Sequence, residues 1–332
     1  MTLATIIVPA FNVEATLAQT LRALQAQTYP EFEIIIVDDG SRDGTARIAH
    51  EFARDRRIRV IRQENRGLAG ARNSGIAAAR GAVIGFCDAD DLWLPEKLAS
   101  HVRHLEANPA VGISYSGSAL INDAGAELGQ AQRPRLRNID PAVIFKRNPI
   151  GNGSAVVLRR AVLDQIAYRP AHETSRDWYF DETFRQSEDI ECWLRIALAT
   201  DWQFEGVPGL LTQYRISAGG LSAATDRQLA AWERMVTKLS PLNPAFFAVN
   251  TRAARAYQLR YLSRRAISDL DAPRALALTR AWLAESRLPL LEEPAKSLVT
   301  LAAAVALRVF GSGVLRRVMG LARRRKTAGA GA

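Results

Sequence analysis

The sequence predicts an α/β protein: a central, mostly parallel sheet with helices on both faces, followed by a helical C-terminal extension. Three observations carry this expectation. Four short apolar runs, Thr5–Pro9, Glu33–Val37, Ile58–Ile61 and Ala82–Phe86, alternate with segments of helical length. The order β-α-β-α-β-α-β implies parallel strands joined by right-handed crossovers. The runs are continuous rather than alternating, as strands covered on both faces are.

Each element has its own signal. Thr5–Pro9 closes on a proline, Ala10–Asn12 is a turn, and a helix is predicted from near Val13 with Leu17, Leu21 and Leu24 on one face. The second strand runs into Asp38-Asp39-Gly40-Ser41, a loop of small and acidic residues, and a helix follows to about Arg54. Asn65–Asn73 opens the helix after the third strand. Beyond residue 110 the pattern is less regular. Val111–Ser116 and Ala155–Leu158 read as strands, Asn122–Gly125 as a turn between strands, and the glycines of Gly151–Ser154 as places where a substrate approaches the backbone. Trp178, Tyr179 and Phe180 fit core packing better than stacking on a ligand. From about Asp226 the chain reads as successive helices divided at Pro241, Pro244, Pro273, Pro289 and Pro294.

The chemistry concentrates at Asp88-Ala89-Asp90-Asp91, directly after the fourth strand. In open α/β sheets ligands bind at the carboxyl ends of strands. Asp88 and Asp90 are placed to aim at one hard cation, Mn2+ or Mg2+, shared with substrate phosphates. Asp91 reads either with them or as the cap of the next helix. Asp39, also after a strand, is placed to accept from a nucleoside, with Asp38 a weaker candidate. Arg72 either supplies a guanidinium near a nucleotide or pairs with Asp38 or Asp39.

Val8-Pro9-Ala10-Phe11-Asn12, Gln27-Thr28-Tyr29, Ile36–Ser41, Ala71-Arg72-Asn73 and Asp88–Asp91, in this order, together resemble the family 2 glycosyltransferases. Glu188-Asp189-Ile190-Glu191-Cys192-Trp193-Leu194-Arg195 is similar to that family's Glu-Asp helix, and Tyr214-Arg215 with Ser222 to its closing strand and loop. Ser217 stands where the family often has histidine.

The resemblance covers roughly residues 4–222. It implies the GT-A fold, inversion at the anomeric carbon and transfer of a hexosyl or N-acetylhexosaminyl group from a nucleotide sugar, most often a uridine one. It further implies Asp189 as general base with Glu188 as fallback, and donor contacts from Pro9, Phe11, Asn12, Glu14, Asp39, Arg72 and Asp88. Asp90 and Asp88 become the metal ligands, and Arg195, Trp193 and Arg215 the acceptor or diphosphate side. The expected domains are 1–222, with a nucleotide-sugar half to about 110 and an acceptor half after it, and a helical extension over 223–332.

Composition narrows the class. Hydrophobic residues make up 48% and charged residues 23% of the 332, ordinary for a globular chain. No signal-peptide pattern opens the chain, and Cys87 and Cys192 read as packing residues in a reducing compartment. Four dispersed histidines argue against zinc. No G-x-G-x-x-G or Walker-type loop is present. A pyrophosphorylase wants a basic glycine-rich loop where Ala10-Phe11-Asn12 stands. The competing class is a catalytically silent nucleotide-sugar-binding or scaffold protein of the same fold.

Most of the charge of +10 comes from the end of the chain: eight basic residues and no acidic one follow Pro294. Leu307, Phe310, Val314, Val318 and Leu321 share a helical face, with Arg308, Arg316 and Arg323 mostly opposite. The apolar run Ser297–Leu307 stops at Arg308, short of the roughly 20 residues a span needs. Residues 297–326 are therefore expected to lie on an anionic membrane surface. The acceptor is then expected to be a glycan or lipid-linked intermediate of surface polysaccharide, and the location cytoplasmic, peripheral on the inner membrane face. Without aromatic interleaving in the basic tail, nucleic acid is not an expected partner.

Overall fold

The computed structural model describes the backbone of residues 1–216 and 225–328, with side chains for 1–216 and 227–313. Ser217 and Ser222 lie outside the described residues, as do the side chains of Val314, Arg316, Val318, Leu321 and Arg323. The chain divides into two units: Met1–Ile144 with Asn148–Gly220, and Phe145–Arg147 with Leu221–Ala332.

The first unit begins with β1 (Ala4–Ala10), α1 (Leu17–Gln25), β2 (Phe32–Asp38), α2 (Thr45–Phe52), β3 (Ile58–Arg62), α3 (Gly67–Ala78) and β4 (Val83–Phe86). Every residue of β1, β2 and β4 is buried, which is why none alternates with polar residues. Pro9 has no N–H to give, and it sits beyond Ile7, the last β1 residue paired with β4.

Then follow β5 (Leu92–Trp93), α4 (Lys97–Ala107), β6 (Val111–Ile121), β7 (Glu127–Gln132), α5 (Pro141–Lys146), β8 (Val156–Arg159), α6 (Arg160–Ile166), α7 (Glu188–Ala199) and β9 (Gln203–Arg215). The sheet runs β3-β2-β1-β4-β8-β6-β9-β5, with β7 on β6. It is parallel from β3 to β4, as the sequence predicts. Beyond β4 it is mixed: β8 enters antiparallel between β4 and β6, whereas β9 is parallel to β6.

Two local expectations are corrected. The first helix starts at Leu17, not near Val13. The N–H groups of Asn12, Val13 and Glu14 are taken by Ser41 Oγ, Thr45 Oγ1 and Asp43 Oδ2, so that stretch is stapled to the β2–α2 loop before helix begins. Asp91 caps no helix: α4 begins six residues later, and both Asp91 carboxylate oxygens are occupied elsewhere.

The second unit contains α8 (Thr225–Leu239), α9 (Pro244–Ser268), α10 (Ala272–Glu285), α11 (Leu288–Glu292) and α12 (Pro294–Ala328). Pro244, Pro273, Pro289 and Pro294 each lie in the first turn of a helix, where a missing N–H costs nothing. Phe145 stacks on Trp232 at 5.5 Å, which fixes its short segment in this unit. Within α12, Gly311 adopts φ 74° and kinks the axis. The expectation that this helix is too short to span is corrected: by length and composition alone, Pro294–Gly313 suffices, because Lys296 and Arg308 do not disqualify the stretch.

Candidate active site

The site forms at the carboxyl ends of β1, β2 and β4, where the loop before α7 reaches them. Its centre is Arg72 on α3. The guanidinium is almost fully buried; Nη2 donates to Asp88 Oδ1 at 3.0 Å and Nη1 donates to Glu188 Oε1 at 2.8 Å. Phe86 and Phe180 flank it, 5.8 and 5.5 Å from ring centre to Cζ. Burial opposes the Arg72 charge, but Asp88, Glu188 and Asp189 outweigh it and hold the pKa above the ordinary arginine value. Arg72 therefore pairs with Asp88 and Glu188, not with Asp38 or Asp39.

Gly153 makes this arrangement possible. A Cβ there would stand 2.3 Å from Arg72 Nη2 and 3.4 Å from Asp88 Oδ2. The glycine admits an arginine of the protein itself, rather than a substrate. Next to it, Ser154 Oγ accepts from Asp88 N at 2.9 Å and donates to Asp91 Oδ2 at 2.5 Å. Arg215 N donates to Asp91 Oδ1 at 2.9 Å. Asp91, with no exposed surface, is thus the pin between β4, Ser154 and β9. Burial and its neighbours Asp88 and Asp90 push its carboxyl well above the usual range.

Asp88 and Asp90 are partly exposed. Burial, then the charge of Asp88, pushes Asp90 up to about 6. Two carboxylates that repel each other at the end of a buried strand form an all-oxygen donor pair suited to a hard divalent ion. No group of three or more potential metal-binding side chains occurs among the described residues, so water or substrate oxygens would complete any coordination shell.

Glu188 and Asp189 open α7, where the helix dipole favours carboxylates. Ser187 precedes them at φ 62°, the left-handed turn that aims the helix start. Burial raises the Glu188 pKa to about 7 against the opposing pull of Arg72. Asp189 is also raised, by burial first, and it lies within electrostatic reach of Arg72 and Asp88. Its Oδ1 accepts from Ile190 N at 2.8 Å, and Asn148 Nδ2 approaches Oδ2 at 3.4 Å.

The other expected residues divide sharply. Phe11 is 47% exposed beside the β1 end, free to lie against a ligand. Pro9 is buried in β1. Asn12 Oδ1 accepts from Arg42 N at 2.9 Å and Glu14 Oε2 from Gly44 N at 2.6 Å, so both tie one loop to another. Asp39 is 2% exposed and accepts from Gln63 Nε2, Arg66 N and Gly67 N at 2.7–2.9 Å, which occupies most of its acceptor positions at the start of α3.

Three residues expected on the acceptor or diphosphate side are internal struts. Arg195 is bonded to Glu191 and to the carbonyls of Ile166 and Tyr179. Trp193, 1% exposed, packs edge-on to Phe180 at 5.8 Å. Arg215 gives its guanidinium to the carbonyls of Asp90, Asn122 and Asp123 and to Gln19 Oε1, at 2.7–3.1 Å. Ser154, Asn148 and Asn73 escaped the sequence reading as site-shaping residues. Asn73 holds the Tyr179–Glu182 segment through Nδ2 and Oδ1; its only sequence signal is its place after Arg72.

The geometry matches a known class, the GT-A-like mixed α/β sheet. Residues 5–167 match the profile of glycosyl transferase family 2. The "Uncharacterized glycosyltransferase EpsJ" of Bacillus subtilis is 52% identical over 205 residues, 56% of this chain and 54% of EpsJ. The Escherichia coli UDP-Glc:alpha-D-GlcNAc-diphosphoundecaprenol beta-1,3-glucosyltransferase WfgD is 28% identical over 228 residues, 68% of this chain and 82% of WfgD. Among solved structures, the mannosyltransferase PcManGT from Pyrobaculum calidifontis, in complex with GDP-Man and Mn2+, aligns with a TM-score of 0.59 at 22% identity, over 99% of this chain and 86% of that one. The chain spans about half the length of relatives such as EpsJ.

Proposed function

We propose that this chain transfers a sugar, with inversion, from a nucleotide-sugar donor to a glycan or lipid-linked acceptor in surface polysaccharide synthesis. The observation that carries the proposal is the meeting of Asp88 and Glu188 on one buried guanidinium, Arg72, with Asp189 beside them. That cluster joins the strand-end loops, where a nucleotide binds in such folds, to the helix that carries the base.

Asp88 and Asp90 would hold Mn2+ or Mg2+, which when bound offsets charge on the donor diphosphate. In the proposed reaction Asp189 takes the proton of the acceptor hydroxyl at a carboxylate oxygen. The acceptor oxygen forms its bond to the anomeric carbon as the bond to the diphosphate oxygen breaks, and the nucleoside diphosphate leaves. Burial raises the Asp189 pKa, which makes its carboxylate a better proton acceptor. Glu188 is committed to Arg72, which supports Asp189 as the base. A uridine donor and a lipid-linked acceptor are supported by the name of WfgD. A cytoplasmic location on the inner membrane face follows from such an acceptor.

The test is nucleotide release from a panel of nucleotide sugars, with and without Mn2+, in wild type and Asp90→Ala. Metal-dependent release from one donor, lost in the variant, is the expected result. Absence of release together with absence of calorimetric binding of any nucleotide on the panel would leave the silent scaffold as the better account.

A further inference from the structure

From Ser297 to Gly313, helix α12 is apolar on both its sides. Ser297, Thr300, Ala304 and Leu307 recur every three to four residues and are buried. Ala304 and Leu307 pack with Ala266, Ile267 and Ala275 of α9 and α10. The outer side carries Leu298, Val299, Val305, Val309 and Phe310, each between 45% and 68% exposed. Arg308 is the only charge from Leu298 to Gly313. A helix on a protein surface ordinarily sets polar residues opposite its core face. Here an aliphatic strip about 18 Å long takes their place.

At the start of this strip five cations meet two carboxylates. Glu293 pairs with Arg147, Arg260 and Lys296, and Glu292 pairs with Lys146 at 2.8 Å. Arg264 stands within electrostatic reach of Arg147, Arg260 and Lys296. The group has three positive charges in excess, and Arg147, Arg264 and Lys296 reach solvent. Burial and mutual repulsion push Arg260 down to about 10 and lower Arg147 and Lys296 as well. An apolar strip that begins in excess positive charge is complementary to a bilayer with anionic headgroups.

We propose that this surface docks on an anionic phospholipid bilayer, the outer strip of α12 entering the headgroup boundary and Arg147, Arg264 and Lys296 meeting lipid phosphates. The helix lies on the membrane rather than crossing it. Its inner side is committed to the unit: Ala304 and Leu307 pack on α9 and α10, and Arg260 Nη1 donates to Ser297 Oγ at 2.5 Å, a partner that withdrawal into lipid would take from a buried guanidinium. The inference concerns the second unit and does not depend on the catalytic reading.

The test is flotation of the full chain with vesicles of phosphatidylcholine alone or with phosphatidylglycerol added. Wild type is expected to float only with the anionic vesicles and to be released by salt. Arg264→Glu with Lys296→Glu is expected to weaken binding at least about 25-fold, from roughly 5-fold per cation near such a surface. Val305→Gln with Val309→Gln should weaken it with the cations intact, and circular dichroism of both variants should match wild type. Equal flotation with neutral vesicles, or unchanged binding by both variants, overturns the proposal. So does resistance to alkaline carbonate extraction, which means a span, or a dimer abolished by the Val309 change without vesicle binding, which means that a second copy covers the strip.

Discussion

Arg72 Nη1 donates to Glu188 Oε1 at 2.8 Å, across 116 residues of sequence and with both groups buried. One bond thus links α3 to the start of the α7 helix. Breaking a buried pair from one side leaves a charge without a counterion, at about 3–5 kcal/mol. Arg72→Ala is therefore expected to cost stability on that scale in urea unfolding. An unfolding midpoint within experimental error of wild type would show that the pair does not hold the two helices together.

Gly153→Ala tests whether space for Arg72 matters to function. The added methyl meets Arg72 Nη2 at 2.3 Å, so the guanidinium has to move. A displacement near 1 Å in an active site costs about 100-fold in rate. Transfer by this variant is expected to fall on that order while the fold, followed by circular dichroism, is retained. Transfer at the wild-type rate would mean that the Arg72–Asp88 contact is dispensable.

Ser154→Ala removes the donor to Asp91 Oδ2 and the acceptor for Asp88 N. A buried polar group left without its partner costs about 1–3 kcal/mol. A loss of that size in thermal unfolding is expected, with Ser154→Thr recovering part of it. No difference between Ser154→Ala and wild type would remove Asp91 from its role as pin.

The pH dependence of stability has a defined sign. Folding raises the Glu188 pKa from its ordinary 4.5 to about 7, so between these values the folded state binds more protons than the unfolded one. Stability then falls as pH rises through that window. Glu188→Gln should flatten this part of the profile, measured as the urea midpoint at intervals from pH 4.5 to 7. An identical slope in the variant would place the titration elsewhere.

Much of this was legible in the sequence because it is local. The fully apolar runs of β1, β2 and β4 and the carboxylates that follow β4 are read directly from adjacent residues. The antiparallel entry of β8 was not legible, since an apolar run such as Val156–Leu158 has no direction written in it. Arg195 and Arg215 were expected on the acceptor or diphosphate side because their motifs resemble those of the family. Besides Glu191 and Gln19, their acceptors are main-chain carbonyls, which any sequence supplies, and only the fold brings them into reach. Gly153 was noticed as a site of close approach, but what approaches it comes from α3, 81 residues earlier in the chain.

The central claim is that Asp189 takes the acceptor proton while Glu188 serves Arg72. The direct measurement is single-turnover transfer by Asp189→Asn, set beside calorimetric donor binding by the same variant. Loss of a general base costs about 100-fold or more. A drop of at least that size with donor affinity within a few-fold of wild type is the expected result, with Glu188→Gln weakening stability more than Asp189→Asn does. Transfer by Asp189→Asn near the wild-type rate would contradict the assignment.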